Sequence, residues 1–145
     1  MESTNPLRSA TIRDRFVADH RRIDALLERL IDAFGANDSE EIGRLWSQLE
    51  PGLLGHLEAE EKHMLPAFAN VAPEESADLA REHEHFRLRL SELGAALDLH
   101  LVRLDTARAF ADELRDHARK EDGLLYRWAD THLDPGGVPL APSHG

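Results

Sequence analysis

The sequence predicts an all-α protein, an antiparallel up-down-up-down four-helix bundle. Two observations predict it: four long segments carry apolar residues at alternating steps of three and four, and only short breaks separate these segments. Residues at such steps share one face of a helix, and short connections make sequential helices antiparallel neighbours. A chain of 145 residues is long enough for one domain with one hydrophobic core. We assign residues 1–134 to this domain.

The first two helices are bounded by capping residues and by prolines. The first is expected from about residue 11 to 34, where Thr11 begins a capping box and a Gly-Ala-Asn segment ends the helix. The second is expected over residues 39–70. Within it, Pro51 predicts a kink or a break, and Pro66 predicts a shorter helix.

The third and fourth helices follow the same logic. Pro73 suits the first position of a helix that continues to about residue 100. The fourth is expected over residues 106–132. The tail, residues 135–145, is rich in proline and glycine and is expected to be disordered.

Composition excludes several classes of function. The chain has no cysteine, which rules out disulfides, thiolate zinc sites, iron–sulfur clusters and cysteine nucleophiles. A net charge of -11 argues against nucleic acid or an anionic membrane as partner, since both need clustered lysine and arginine. No apolar run spans a membrane, and the first residues lack the apolar core of a signal peptide. We therefore expect a cytoplasmic monomer or weak homo-oligomer.

Polar residues interrupt the apolar stripe of every helix. Each stripe contains a histidine, and two stripes also contain a glutamate one turn later. At 1.5 Å of rise per residue, the depths of these residues in the bundle spread over roughly 15 Å, so one shared layer is expected. The residues are His20 in the first helix, His56 and Glu60 in the second, His83 in the third, and His117 and Glu121 in the fourth.

Two acids in a buried layer need compensation. A buried ionised glutamate costs several kcal/mol unless it is paired or bound to a metal, and the stripes bring no lysine or arginine to this layer. A pair of divalent or trivalent cations balances the charge, because neutral imidazoles bind them and carboxylates can bridge them. Nitrogen and oxygen ligands without sulfur favour iron or manganese, with zinc as an alternative.

Two other interpretations explain these residues less completely. A metal-free bundle with a buried polar network needs both acids to be satisfied by histidinium or water. A ferritin-like carboxylate site uses Glu-x-x-His on two helices, which Glu60 to His63 and Glu82 to His85 match. We reject that site, because Glu82 and His85 point away from the stripe of the third helix and the histidines of the four stripes stay unexplained.

The motifs resemble those of the hemerythrin-like family, the HHE cation-binding domains. The resemblance covers the chain except its first few residues and its tail, and it rests on two His-x-x-x-Glu motifs on alternate helices with single histidines on the other two. It implies a four-helix bundle that binds two non-haem iron ions with an oxo or hydroxo bridge. The implied metal ligands are His20, His56, Glu60, His83, His117 and Glu121.

The sequence departs from the invertebrate oxygen carriers of this family at two positions. The carriers have a second histidine on the third helix, where this chain has Arg87, and an aspartate that would correspond to Asp122, whereas the four-residue step gives Glu121. The pattern is more similar to bacterial proteins associated with iron–sulfur repair and nitric-oxide stress, without their cysteine-bearing segment. One ligand fewer leaves more open coordination, which favours reactivity or sensing over oxygen carriage.

Other side chains are assigned by their register. His63 is left open as a pocket-lining residue or an alternative ligand. Glu61 and Asp122 are expected to face solvent or to support ligands, with Asp122 also open as a substitute for Glu121. We expect His85 to be exposed, and Tyr126 to lie off the stripe without a redox role. The apolar residues expected to form a dry pocket at the site are Leu53, Phe86 and Leu114, and the stripe of the fourth helix is expected to continue through Leu124 and Trp128.

The favoured function is a di-iron protein that binds or senses dioxygen or a related small ligand, such as nitric oxide or peroxide. On this hypothesis no residue is assigned a catalytic role, and a binding module is favoured over an enzyme. Two alternatives use the same ligands: an enzyme of peroxide or nitric-oxide defence, and an iron store or donor.

Overall fold

The regular structure of the chain is helical. The computed structural model describes residues 12–133, so Thr11 and the tail expected to be disordered lie outside the described residues. Four long helices and two short ones fall within this range, with one π-helical turn after the last long helix. The elements are α1 (Ile12–Gly35), α2 (Ser39–His63), α3 (Leu65–Ala69), α4 (Pro73–Asp98), α5 (Leu104–Glu121), the π turn (Asp122–Tyr126) and α6 (Arg127–His132).

The first connection ends α1 and caps α2. Asn37 has a φ of 54°, in the left-handed region that asparagine tolerates, and the Asp38 amide donates to the carbonyl of Ala33 at 3.0 Å. The side chain of Asp38 then accepts a hydrogen bond of 3.2 Å from the backbone N–H of Glu41. The predicted end of the first helix is therefore correct to within a residue.

The prolines act differently at three positions. Helix α2 continues through Pro51, so the helix does not break there, and the kink given as the other possibility stays a prediction. Pro66 lies in the first turn of α3, which separates this short helix from α2 as expected. Pro73 is the first residue of α4, where its missing N–H costs no intrahelical bond.

The hydrophobic core consists of two clusters with polar residues between them. Along α1, Phe16 belongs to one cluster and Ile23 to the other, and His20 lies between them. The order is the same along α4 and reversed along α2 and the α5 segment with its π turn, and polar residues separate the two clusters in each. The fold therefore holds one polar layer between two apolar ones, where neighbouring groups rather than water must satisfy it.

The long helices contact one another in a closed ring. Helix α1 packs against α2 and α5, and α4 packs against the same two helices. Helix α3 packs against α4, and α6 and the π turn pack against α1. Among residues 12–133, no helix is long and apolar enough to cross a bilayer.

Candidate metal centre

Six polar side chains meet in the layer between the two clusters. They form two groups of four, and within each group the potential ligand atoms all lie within 4.8 Å of one another. The two groups share both glutamates. The first group is His20, His56, Glu60 and Glu121, and the second is Glu60, His83, His117 and Glu121. The structure thus brings together all six residues that the sequence predicts as ligands.

Helix geometry places the paired residues. His56 and Glu60 on α2, like His117 and Glu121 on α5, are four residues apart, so each pair lies on one helix face. All four are buried. The residues before and after them on the same helix faces are apolar and belong to the two hydrophobic clusters. The polar side chains therefore also face the interior of the bundle.

The two oxygens of Glu121 face different histidines. Its Oε1 lies 3.1 Å from Nε2 of His20, and its Oε2 lies 3.0 Å from Nε2 of His83 and 2.9 Å from Nε2 of His117. This carboxylate therefore contacts histidines of both groups, one oxygen to each. Glu60 also reaches both, since its Oε1 lies 3.6 Å from Nε2 of His56 and 3.3 Å from Nε2 of His83.

Three of the four imidazoles are held by a carboxylate at their other nitrogen. A neutral imidazole that donates from Nδ1 leaves the lone pair of Nε2 free to bind a metal, and here Nε2 faces the cluster. The sequence alone left Glu61 undecided between solvent and support of a ligand, and it directed Glu82 away from the site. The pairs are His56 with Asp19 at 3.3 Å, His83 with Glu61 at 2.9 Å, and His117 with Glu82 at 2.6 Å.

Each supporting carboxylate also pairs with a cation. Hydrogen bonds from Arg87 and His83 outweigh the effect of burial and lower the pKa of Glu61, so this carboxylate stays ionised. Arg87, at the position of the carriers' extra histidine, thus acts on the site only through Glu61. The cation pairs are Arg22 with Asp19 at 2.9 Å, Arg87 with Glu61 at 2.6 Å, and Lys120 with Glu82.

The pKa shifts of the glutamates and histidines in the layer indicate that it favours bound positive charge. Burial and the nearby charge of Glu121 raise the pKa of Glu60. Burial also acts to raise the pKa of Glu121, but close contacts with the ring nitrogens of three histidines hold it well below its usual range. Burial lowers the pKa of His83, yet its hydrogen bond to Glu121 and its close contact with Glu60 outweigh burial and raise this pKa to about 10. Without a metal, protons on buried histidines balance the acids.

The donor set fits metal ions. Among the described residues, Oε1 of Glu60 and Nε2 of His117 are buried without a hydrogen-bond partner. His117 Nε2 approaches Glu121 at 2.9 Å, but not in hydrogen-bonding geometry. Buried polar atoms without partners are rare and need a cause. A cation in each group would satisfy both atoms, with the nitrogen and oxygen ligands that iron, manganese or zinc accept.

Comparison with known proteins agrees with this site. The sequence profile of the hemerythrin HHE cation-binding domain matches residues 11–129. The chain belongs to this family. The match includes α1 to α5 and the π turn, and therefore all six residues of the layer in this HHE domain.

One curated relative of this HHE domain is a much longer protein. It is called DNA nickase, from Nostoc sp. (strain PCC 7120), and is 27% identical over 116 residues. The matched region covers 79% of this chain and 32% of that protein, so the chain spans about a third of the relative's length. No solved structure matches the chain.

The structure adds a residue that sequence reasoning missed. Tyr126 is fully buried, and its hydroxyl lies among atoms of the first group. The oxygen is 2.6 Å from Oε2 of Glu60, 2.8 Å from Nε2 of His20, 3.1 Å from Nε2 of His56 and 3.3 Å from Oε1 of Glu121. The expectation that Tyr126 lies off the stripe is therefore wrong.

The π turn explains the error. A π turn has more residues per turn than an α-helix, so it brings Tyr126, five residues after Glu121, back to the same face. The predicted continuation of the stripe is wrong for the same reason. Leu124 and Trp128 are only half-buried, and Leu125 and Ala129 are buried instead. Successive steps of four residues from position 117 to 129 are the sequence signal of this shift.

The alternative ligands lie outside both groups. His63 is exposed at the end of α2. Asp122 accepts a hydrogen bond of 2.9 Å from Arg13 at the surface. His85, expected to be exposed, is partly exposed, with 39% of its side chain accessible, and pairs with Glu113 at 2.6 Å.

A small apolar cavity adjoins the layer. Its volume is about 30 Å³, room for one or two water-sized groups. Leu53 and Leu114 line it, as the sequence predicts, together with the imidazoles of His20, His56 and His117. Phe86, expected at the same pocket, packs against the ring of His117 instead, with ring centroids 5.0 Å apart.

Proposed function

We propose that this chain is a non-haem di-iron protein that binds or senses dioxygen or a related small ligand, such as nitric oxide or peroxide. The observation that carries the proposal is the pair of four-residue groups that share Glu60 and Glu121. One group of this kind is common in proteins, but two that share both carboxylates are what a two-metal centre requires.

Each residue has a role in this proposal. His20 and His56 hold one ion, His83 and His117 hold the other, and the two shared glutamates bridge them, with an oxo or hydroxo group between the ions. Iron bound there would supply the redox-active positions at which a small ligand binds. The supporting carboxylates orient the imidazoles and keep their Nε2 lone pairs directed inward.

The size of the cavity supports a diatomic or peroxide-sized ligand. About 30 Å³ with leucine side chains around it excludes larger substrates and limits water near the ions. Such a site favours reversible binding, because water and protons promote irreversible oxidation. The closed ring of long helices supports the up-down-up-down bundle and a domain of residues 1–134, which we include in the proposal.

Two alternatives keep the same ligands: an enzyme of peroxide or nitric-oxide defence, and an iron store or donor. We favour binding or sensing, because His63, the acid–base candidate outside the ligands, is exposed and outside both groups. The name of the relative suggests an activity on DNA, but the matched region is only 32% of that protein, so the activity can belong to its other parts. With a net charge of -11, we propose that this chain does not bind nucleic acid.

Metal analysis with optical spectroscopy tests the proposal. The aerobic protein should contain two irons per chain and absorb in the near-ultraviolet as oxygen-bridged ferric pairs do. Reduced protein exposed to oxygen should cycle reversibly if it binds or senses, and oxidise irreversibly with peroxide turnover if it is an enzyme. A folded protein that takes up no metal from an iron solution would contradict the di-iron proposal.

A further inference from the structure

The oxygen of Tyr126 has more neighbours than a phenol can satisfy. A phenol offers one hydrogen to donate and two lone pairs to accept with. Four potential metal-binding atoms surround it at 2.6 to 3.3 Å, from Glu60, His20, His56 and Glu121. All four residues belong to the first group. The hydroxyl is thus a fifth member of that group and not a peripheral contact.

Two of these distances match those between neighbouring ligands of one ion. First-row and similar cations bind nitrogen and oxygen at about 2.0–2.2 Å, so adjacent ligands in an octahedron lie about 2.8–3.1 Å apart. The separations of Tyr126 from His20 and His56, 2.8 and 3.1 Å, lie within that range. Those from Glu60 and Glu121, 2.6 and 3.3 Å, lie just below and just above it. The phenol oxygen therefore has the spacing of a neighbouring ligand to both histidines of the first group.

We propose that Tyr126 binds the ion held by His20 and His56, as a phenolate ligand. On uptake of the ion the O–H bond breaks, a metal–oxygen bond forms and the proton leaves to solvent, as ligation generally requires. The inference rests on the di-iron function proposed above and adds a ligand to it.

The consequence is that the two metal positions differ. The first ion would have five protein ligands, counting the shared glutamates, whereas the second would have four. Among the described contacts of Tyr126, none reaches His83 or His117. An external ligand would therefore bind the second ion. The cavity reaches both positions, since His117 of the second group lines it together with His20 and His56 of the first.

The test uses a property of the whole chain: Tyr126 is its one tyrosine. Any iron–phenolate signal from the iron-loaded protein must therefore come from this residue. We expect a visible charge-transfer band and resonance-enhanced ring vibrations in the ferric wild type, and the loss of both in Tyr126→Phe. Iron content is measured on the same samples. The matched control is Phe16→Leu, which changes a neighbouring ring 5.6 Å from Tyr126 and should keep the band.

The outcomes separate the two proposals. Iron-loaded wild type without phenolate vibrations would overturn the ligand role of Tyr126 and leave the di-iron function standing, with the hydroxyl only donating to Glu60. Wild type that takes up no iron would overturn both. If Tyr126→Phe does not fold, wild type grown with ring-deuterated tyrosine decides: the enhanced vibrations must shift, and vibrations that do not shift contradict the proposal.

Discussion

Nε2 of His83 lies 3.0 Å from Oε2 of Glu121, and both side chains are fully buried. In a metal-free chain this contact is a hydrogen bond that a proton on His83 makes to the carboxylate. A metal ion needs the same nitrogen lone pair and the same oxygen. Proton and metal therefore compete for one pair of atoms, and pH controls both stability and metal uptake.

We predict that the metal-free protein loses stability as pH rises above neutral. The hydrogen bond of His83 to Glu121 and its close contact with Glu60 outweigh burial and raise the pKa of His83 to about 10, whereas an unfolded histidine titrates near 6.5. A group whose pKa is raised by folding stabilises the folded state fully at pH values below its unfolded pKa. This contribution is lost as the pH rises through its folded pKa. Denaturant unfolding across that window should show a slope of up to about 1.4 kcal/mol per pH unit.

Two variants identify the group responsible. His83→Gln should flatten the slope, because it removes the titrating ring. His85→Gln, which changes a partly exposed histidine paired with Glu113, should keep the slope. An unchanged slope in His83→Gln would assign the pH dependence to another residue.

We predict that His117→Ala loses iron and stability together. Its Nε2 is a buried atom without a hydrogen-bond partner, and the free energy of binding a metal there contributes to folding. Iron content and thermal unfolding with and without iron measure the two effects. His85→Ala is the control and should keep its iron. A His117→Ala protein with full iron content would show that this ligand assignment is wrong.

The six residues of the layer follow from local geometry, which is why the sequence reveals them. His56 and Glu60 share a face because four residues make about one helical turn, whatever the helix packs against. The position of Tyr126 could not be predicted in this way, because the π turn depends on tertiary packing. Burial of Leu125 and Ala129 shifts the helical register after Glu121.

The contacts of the supporting carboxylates could not be predicted from the sequence for a different reason. Glu82 directly precedes His83 and so was expected to point away from the stripe of its own helix. It instead reaches across to His117 on α5, at 2.6 Å. Distances between helices are set by side-chain packing along their whole length, and the spacing of residues within one helix does not contain them.

We predict that the carboxylates holding the imidazoles tune metal affinity. Glu61→Gln and Glu82→Gln keep the size of the side chain but remove the charge that orients His83 and His117. Each should weaken iron binding by about 10- to 100-fold. Competition with a chelator measures this change. Glu113→Gln serves as control, because Glu113 pairs with His85, which belongs to neither metal-binding group. Equal affinities in all the variants would contradict a supporting role.

The ion pair of Asp24 and Arg115 lies where the cavity meets the surface. The pair joins α1 to α5 at 2.5 Å, and both residues line the cavity and also a shallow groove on the outside. His20 and Ala118 line both spaces as well. A small ligand that moves between groove and cavity passes this pair.

We predict that Arg115→Ala speeds ligand exchange without changing affinity much. Without the guanidinium the passage is wider, while the residues around the ions are unchanged, so association and dissociation rates should both rise several-fold. Stopped-flow binding of nitric oxide to the reduced, iron-loaded protein measures both, and an uncharged ligand avoids a direct effect of the lost charge. Arg119→Ala is the matched control, because Arg119 lines the groove but not the cavity and pairs with Asp116 on its own helix. Unchanged rates in Arg115→Ala would mean that the ligand reaches the ions by another route.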